Sequence, residues 1–233
     1  MINSFVALDV ETSGLSPEND KIIEIGMAKV IDGQLADKYS VLINPKRIIA
    51  PKIVELTGIT QDMLQDKPVI EDIIGDILEF IGDYPILGHN VNFDYGFLKK
   101  AAVNSGYSFE KQGIDTLKLA RRLLPEVEHK NLEYLCNYFN IDAGNSHRAY
   151  DDAVSAWKLF LCLHNVKPED EGFNELISLN YSAKKDVPST PAQRRYLLAL
   201  INMHGINIGE DIDSLTKSRA SKIIDGIISQ YGR

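Results

Sequence analysis

The chain has 233 residues, with 25 basic and 33 acidic side chains and a formal charge of −8. That acid excess argues against wrapping double-stranded DNA, which needs a broad basic surface, and 44% hydrophobic against 25% charged content excludes a disordered chain. The longest apolar run, residues 196–201, is far below the ~20 residues that cross a bilayer.

The start, Met1-Ile2-Asn3-Ser4, lacks the basic and apolar regions of a signal peptide. Cys136 and Cys162 stand in apolar helical surroundings without metal-ligand spacing and read as core thiols. A soluble cytoplasmic protein without membrane contact is expected. In chain order, residues 5–11 predict a strand carrying two acids at its end, 21–31 a second and 39–43 a third. Asp32-Gly33 lies between the last two, a pair that favours a primed hairpin turn. Ile73, Ile77 and Ile81, with Ile74 and Leu78, form one helical stripe. A short buried strand is predicted at 85–88, a helix at 92–105 and a strand ending at Ile114-Asp115. Helices follow at 116–124, 131–139 and 149–163.

Strands first, then strands alternating with helices, predict an α/β fold: a mixed sheet covered on both faces. This domain is expected over 1–166. Residues 167–188, with Pro168, three consecutive acids and Pro188, read as a linker with room for one short helix. Thr190-Pro191-Ala192-Gln193 is a helix start with a capping box. A second helix carries Ala220, Ile223, Ile224, Ile227 and Ile228, so 189–233 reads as a small helical accessory module.

Asp9 and Glu11 are two apart on a strand and leave the same face at the sheet's rim. Carboxylates held so close repel one another, an arrangement a divalent cation relieves; two solvated acids at a strand end remain the plainer alternative. A second segment, His89-Asn90-Val91-Asn92-Phe93-Asp94, passes from strand into helix, where Asn92 and Asp94 also suit simple capping. The third, His147 to Asp152, opens a helix, where acids are favourable on dipole grounds alone. Three separated segments thus each bring a carboxylate to the end of an element.

Jointly these segments resemble the DEDD (DnaQ-like) superfamily of 3′-to-5′ exonucleases. The likeness is to the branch with a histidine in its third motif, which includes proofreading subunits or domains of bacterial replicative DNA polymerases. The first motif, D-x-E-T-x-G-L, stands as Asp9 through Leu15; H-N-x-x-F-D stands as His89 through Asp94; H-x-x-x-x-D stands as His147 through Asp152. Thr57-Gly58-Ile59-Thr60 and the segment 114–121 match further family features, and the likeness spans 4–165. Tyr150 is followed four residues on by Val154, so the spacing of the tyrosine branch is not met.

The resemblance implies a ribonuclease H-like fold and two divalent cations, Mg2+ or Mn2+, held by Asp9, Glu11, Asp94 and Asp152, with Asp151 the less favoured neighbour. It implies His147 as general base, a role that suits an imidazole because its ordinary pKa of about 6.5 lies near working pH. Thr12, Leu15, Asn90 and Phe93 are the implied substrate contacts, with a plain core role still open for Leu15 and Phe93. His89 is expected to be a structural hydrogen-bonder, and His129, His164 and His204 carry no pattern. The implied activity is metal-dependent 3′-to-5′ hydrolysis of single-stranded or frayed DNA in proofreading or repair. RNA as substrate, or a non-catalytic nucleic-acid-binding module, are the alternatives. Arg194, Arg195, Lys217, Arg219 and Lys222 leave two readings of the accessory module open: a solvated basic face, or a foothold for single-stranded nucleic acid or for a polymerase or helicase partner.

Overall fold

In the computed structural model, residues 1–144 and 147–232 are described. Six strands form one sheet in the order β3-β2-β1-β4-β5-β6. β1 (Phe5–Thr12), β2 (Ile22–Ile31) and β3 (Gln34–Leu42) make an antiparallel meander. Asp32 and Gly33 join the last two, both at positive φ (51° and 76°), as a primed turn requires. β4 (Ile86–Gly88) and β5 (Gln112–Asp115) continue the sheet in parallel.

Alternation along β1 sorts its side chains between two cores. Val6, Leu8 and Val10 pack with Ile74, Ile77 and Ile81 of α3 (Ile70–Ile81) and with Leu98 of α4 (Asn92–Asn104). Phe5 and Ala7 face Ala153, Ala156 and Phe160 of α7 (Ala149–Val166). Asp9 and Glu11 continue the odd-numbered series, so the same alternation that builds the core carries both acids to the α7 side. On that side lie also α5 (Thr116–Leu123) and α6 (Leu132–Tyr138).

Two short helices not anticipated from periodicity, α1 (Pro51–Thr57) and α2 (Gln61–Leu64), surround Gly58-Ile59. Buried Ile59 and Leu64 there cover Ile23 of β2, and pieces of four and seven residues are too short to show a helical period. The 167–188 stretch is laid onto the domain. It holds a 3₁₀ turn at Glu171–Phe173 with Phe173 buried, then β6 (Ile177–Ser178), which pairs antiparallel with β5. Beyond it, α8 (Pro191–His204) starts on the Thr190–Gln193 capping box and packs against α9 (Lys217–Tyr231) around Leu197, Leu200, Ala220 and Ile224. Among the described residues no helix is long and apolar enough to cross a membrane, and both cysteines are free, Cys136 buried and Cys162 half-buried.

Candidate active site

The carboxyl ends of β1 and β4 and the first turns of α4 and α7 meet at one open cleft of about 300 Å³. Asp9, Glu11, Asn90, Phe93, Asp94, His147 and Asp152 all line it. Asp94 is 3% exposed, and its Oδ1 accepts the Val10 amide at 3.0 Å, which ties α4 to the strand between the two acids of β1. On the other flank the His147 amide donates to Asp152 Oδ2 at 2.9 Å. That bond holds His147 at a φ of 64°, a left-handed backbone that costs a non-glycine residue about 1 kcal/mol or more. Glu11, His147 and Asp152 bring one ligand atom each to within 4.8 Å of one another.

The electrostatics follow from crowding. Burial, then Asp152 and Glu24, push Asp9 up to about 8. Glu11 also rises to about 8, from burial, then Asp9, Asp152 and Glu24, with Arg148 opposing. Burial and Asp9 hold Asp94 well above the carboxylate range. Asp152 rises to about 6 through burial, against the lowering effect of the His147 amide. Like charges in a poorly hydrated cleft each disfavour ionisation of the next.

Two participants were missed in the sequence. Glu24 is 1% exposed and sits directly across the β1–β2 ladder from Glu11. It accepts from Arg148 Nη2 at 2.8 Å, Arg148 Nε at 3.1 Å and the Ala149 amide at 3.2 Å. A fifth acid therefore anchors the first turn of α7 and holds Arg148 in an ion pair there. A signal existed: Glu24 interrupts the Ile22-Ile23-Glu24-Ile25 run, and a buried acid in a strand demands a partner. Gly26, on the same face, passes beneath that turn so closely that an added Cβ would stand 2.0 Å from the Tyr150 nitrogen.

The other expected contacts divide. Asn90 and Phe93 face the cleft, with Asn90 at a φ of 72° and its amide on Asp115 Oδ1. Asp115 also accepts the Leu117 and Lys118 amides, capping α5. Thr12 and Leu15 do not line the cleft. Thr12 is buried with its hydroxyl on the Gly14 carbonyl at 2.6 Å, whereas Leu15 is 85% exposed at the tip of the following loop. His89 has both ring nitrogens engaged, Nδ1 with Thr116 Oγ1 at 2.9 Å and Nε2 with the Lys130 carbonyl at 2.6 Å, and burial lowers its pKa. Its proton is committed to structure.

A family model described as "Exonuclease" (RNase_T) matches residues 6–160. The chain belongs to this exonuclease family. It is 33% identical over 235 residues to the PolC-type DNA polymerase III of Clostridium perfringens, covering 98% of this chain and 16% of that protein. With the PolC-type enzyme of Thermotoga maritima it shares 43% over 159 residues, 68% of this chain and 12% of that one. The chain thus spans about a sixth or less of the length of these curated relatives. Among solved structures it is similar to exonuclease X in complex with 5′-overhanging duplex DNA (29% identity, TM-score 0.53, 71% of this chain and 93% of that one). Escherichia coli exonuclease I with a dA16 oligonucleotide shares the fold at 20% identity (TM-score 0.62, 74% and 42%). The sheet is accordingly that of a ribonuclease H-like exonuclease. Divalent-metal dependence goes with the family, and the donor set in this chain fits it: hard carboxylate oxygens whose mutual repulsion leaves them short of positive charge.

Proposed function

We propose that this chain is a 3′-to-5′ exonuclease on single-stranded or frayed DNA, acting in replication proofreading or repair in a reducing cytoplasm. The observation that carries the reading is the accumulation of Asp9, Glu11, Asp94 and Asp152 in one cleft with His147 at its edge. Those four carboxylates would hold two divalent cations, Mg2+ or Mn2+. Bound there, the ions supply Lewis-acid charge that offsets the negative charge gathering on the phosphodiester.

The chain's own residues do the rest. His147 takes a proton from the water that attacks the terminal phosphorus. The P–O3′ bond breaks, a nucleoside 5′-monophosphate departs, and the shortened strand regains its 3′ hydroxyl with a proton from solvent. Asp152 holds the histidine's backbone through the His147 amide. Phe93, on the cleft wall, offers a face on which an unpaired base stacks without sequence being read, and Asn90 offers an amide side chain to the sugar. Thr12 shapes the loop that presents Leu15 to the terminal base. PolC-type relatives are polymerases by name, which favours a DNA polymerase as working partner.

The test is a denaturing-gel time course on 5′-labelled single-stranded DNA and matched RNA, with Mg2+, Mn2+ or chelator. Shortening of DNA from the 3′ end that stops with chelator is the expected result. Degradation that persists in chelator contradicts the metal assignment. A preference for RNA moves the substrate to that polymer, and no degradation of either leaves a binding module.

A further inference from the structure

Burying an ammonium is costly unless its donors are matched. Lys100, on α4, is 5% exposed, and its three donors meet three acceptors: Glu18 Oε2 at 2.7 Å, the Lys184 carbonyl at 2.6 Å and Asp186 Oδ1 at 2.8 Å. Those acceptors come from two segments far apart in sequence. Glu18 belongs to the loop 13–20 that follows the first motif; Lys184 and Asp186 belong to the stretch after β6.

That stretch lies along one face of α4. Asn92, Gly96, Lys100 and Asn104 recur every four residues and so form a single stripe. The Asn180 amide donates to Asn92 Oδ1 at 3.3 Å. The Tyr181 ring packs so close to Gly96 that an added Cβ there would touch it at 3.4 Å. Asp186 and Asn104 exchange two bonds, at 2.9 and 3.0 Å. Residues 180–186 are therefore a strap on the helix that carries Asp94.

The loop 13–20 is held beneath it. Tyr181 Oη donates to Glu18 Oε1 at 2.9 Å, and Pro17 Cγ sits as near to Gly96 as the tyrosine does. Arg47 donates to the Asn19 carbonyl at 2.5 Å, and Ser13 and Lys21 close the loop's neck through two bonds, at 2.8 and 2.9 Å. Every residue of the loop is at least half-buried except Leu15. A loop gripped along its length and free at one apolar tip is built to present that tip.

We propose that the strap 180–186, acting through Lys100 and Tyr181, positions the Thr12–Leu15 loop against the 3′-terminal nucleotide and so sets the affinity for a strand end. This rests on the reading of Leu15 as a substrate contact. Tyr181 and Lys100 are positioning residues, and the segment between the catalytic sheet and the α8–α9 pair is part of the substrate site.

Full-length Tyr181→Phe, Glu18→Gln and Leu15→Ala variants are compared for kcat and KM on single-stranded DNA, for melting temperature, and for amide exchange of residues 13–20. Loss of the hydroxyl in Tyr181→Phe is expected to raise KM about fivefold, the worth of one hydrogen bond, with kcat within about twofold. Glu18→Gln is expected to act in the same direction, and both are expected to speed exchange in the loop. KM unmoved in both, with Leu15→Ala raising it, overturns the strap's role alone. KM unmoved in Leu15→Ala as well overturns the loop's contact with substrate, and the strap's role falls with it. A lower melting temperature with both kinetic constants unchanged confines the strap to stability and overturns the proposal.

Discussion

Two faces of α4 bury charge in opposite ways. At the Lys100 cluster one ammonium meets two carboxylates and a carbonyl at ordinary hydrogen-bond distances, so the group is satisfied by the protein itself. At the cleft, six residues back along the helix, Asp94 joins Asp9, Glu11 and Asp152, and burial first, then charges of the same sign around them, push all four pKa values upward. Arg148, the cation facing them, is bound to Glu24. Matched charge holds segments together; unmatched charge of one sign is stored capacity for a cation.

The contrast is breakable at several points. His147→Ala is expected to lower kcat by about 10²- to 10⁴-fold, the usual worth of a general base, while a fluorescence titration in Ca2+ finds DNA binding little altered. Asp9→Asn separates activity from stability. Turnover is lost, yet the melting temperature in chelator rises when measured above about pH 8, where Asp9 is ionised and its replacement takes one repelling charge from the cleft; a fall there would mean that the acids are not in conflict.

Gly26→Ala drives a methyl into the backbone of the first α7 turn. A cost of about 1–3 kcal/mol is expected from the resulting shift, together with loss of activity as His147 is displaced, both readable by denaturant melts and the gel assay. On the matched face, Lys100→Met leaves the Glu18 and Asp186 carboxylates without their cation. Since Glu18 is partly solvated and can rehydrate, a loss of about 2 kcal/mol is expected, measured by the same melts.

Stability of the metal-free fold is also expected to depend on pH. Unfolded carboxyls release their protons near pH 4, whereas Asp9 and Glu11 in the metal-free fold retain theirs to about 8. The folded state thus binds more protons across that window, and stability declines as pH rises from about 4 to about 8. Added Mn2+ or Mg2+ is expected to reverse the trend, raising the melting temperature more at pH 8 than at pH 5. A pH-independent metal effect in calorimetry would deny the repulsion.

Much of the site was legible before any coordinates. Period two placed Asp9 and Glu11 on one face, and strand-to-helix transitions placed Asp94 and Asp152 in first turns, because these are local rules of backbone geometry. His89 was read as a structural hydrogen-bonder, and both its ring nitrogens have partners. Glu24 was passed over because one acid inside an apolar strand has no local meaning; its partner lies 124 residues away. The linker's composition, rich in proline and charge, pointed to a connector, yet its Lys184 carbonyl and Asp186 serve a buried lysine that sequence alone gives no cause to notice.

Short-range pattern therefore sufficed for the longer elements, the faces they bury and the acids at their ends, since side-chain direction depends only on neighbours along the chain. Which acids are compensated and which are left in conflict was decided by packing. Electrostatic energy depends on distance through space and on the water excluded between groups, and neither quantity is written along the chain.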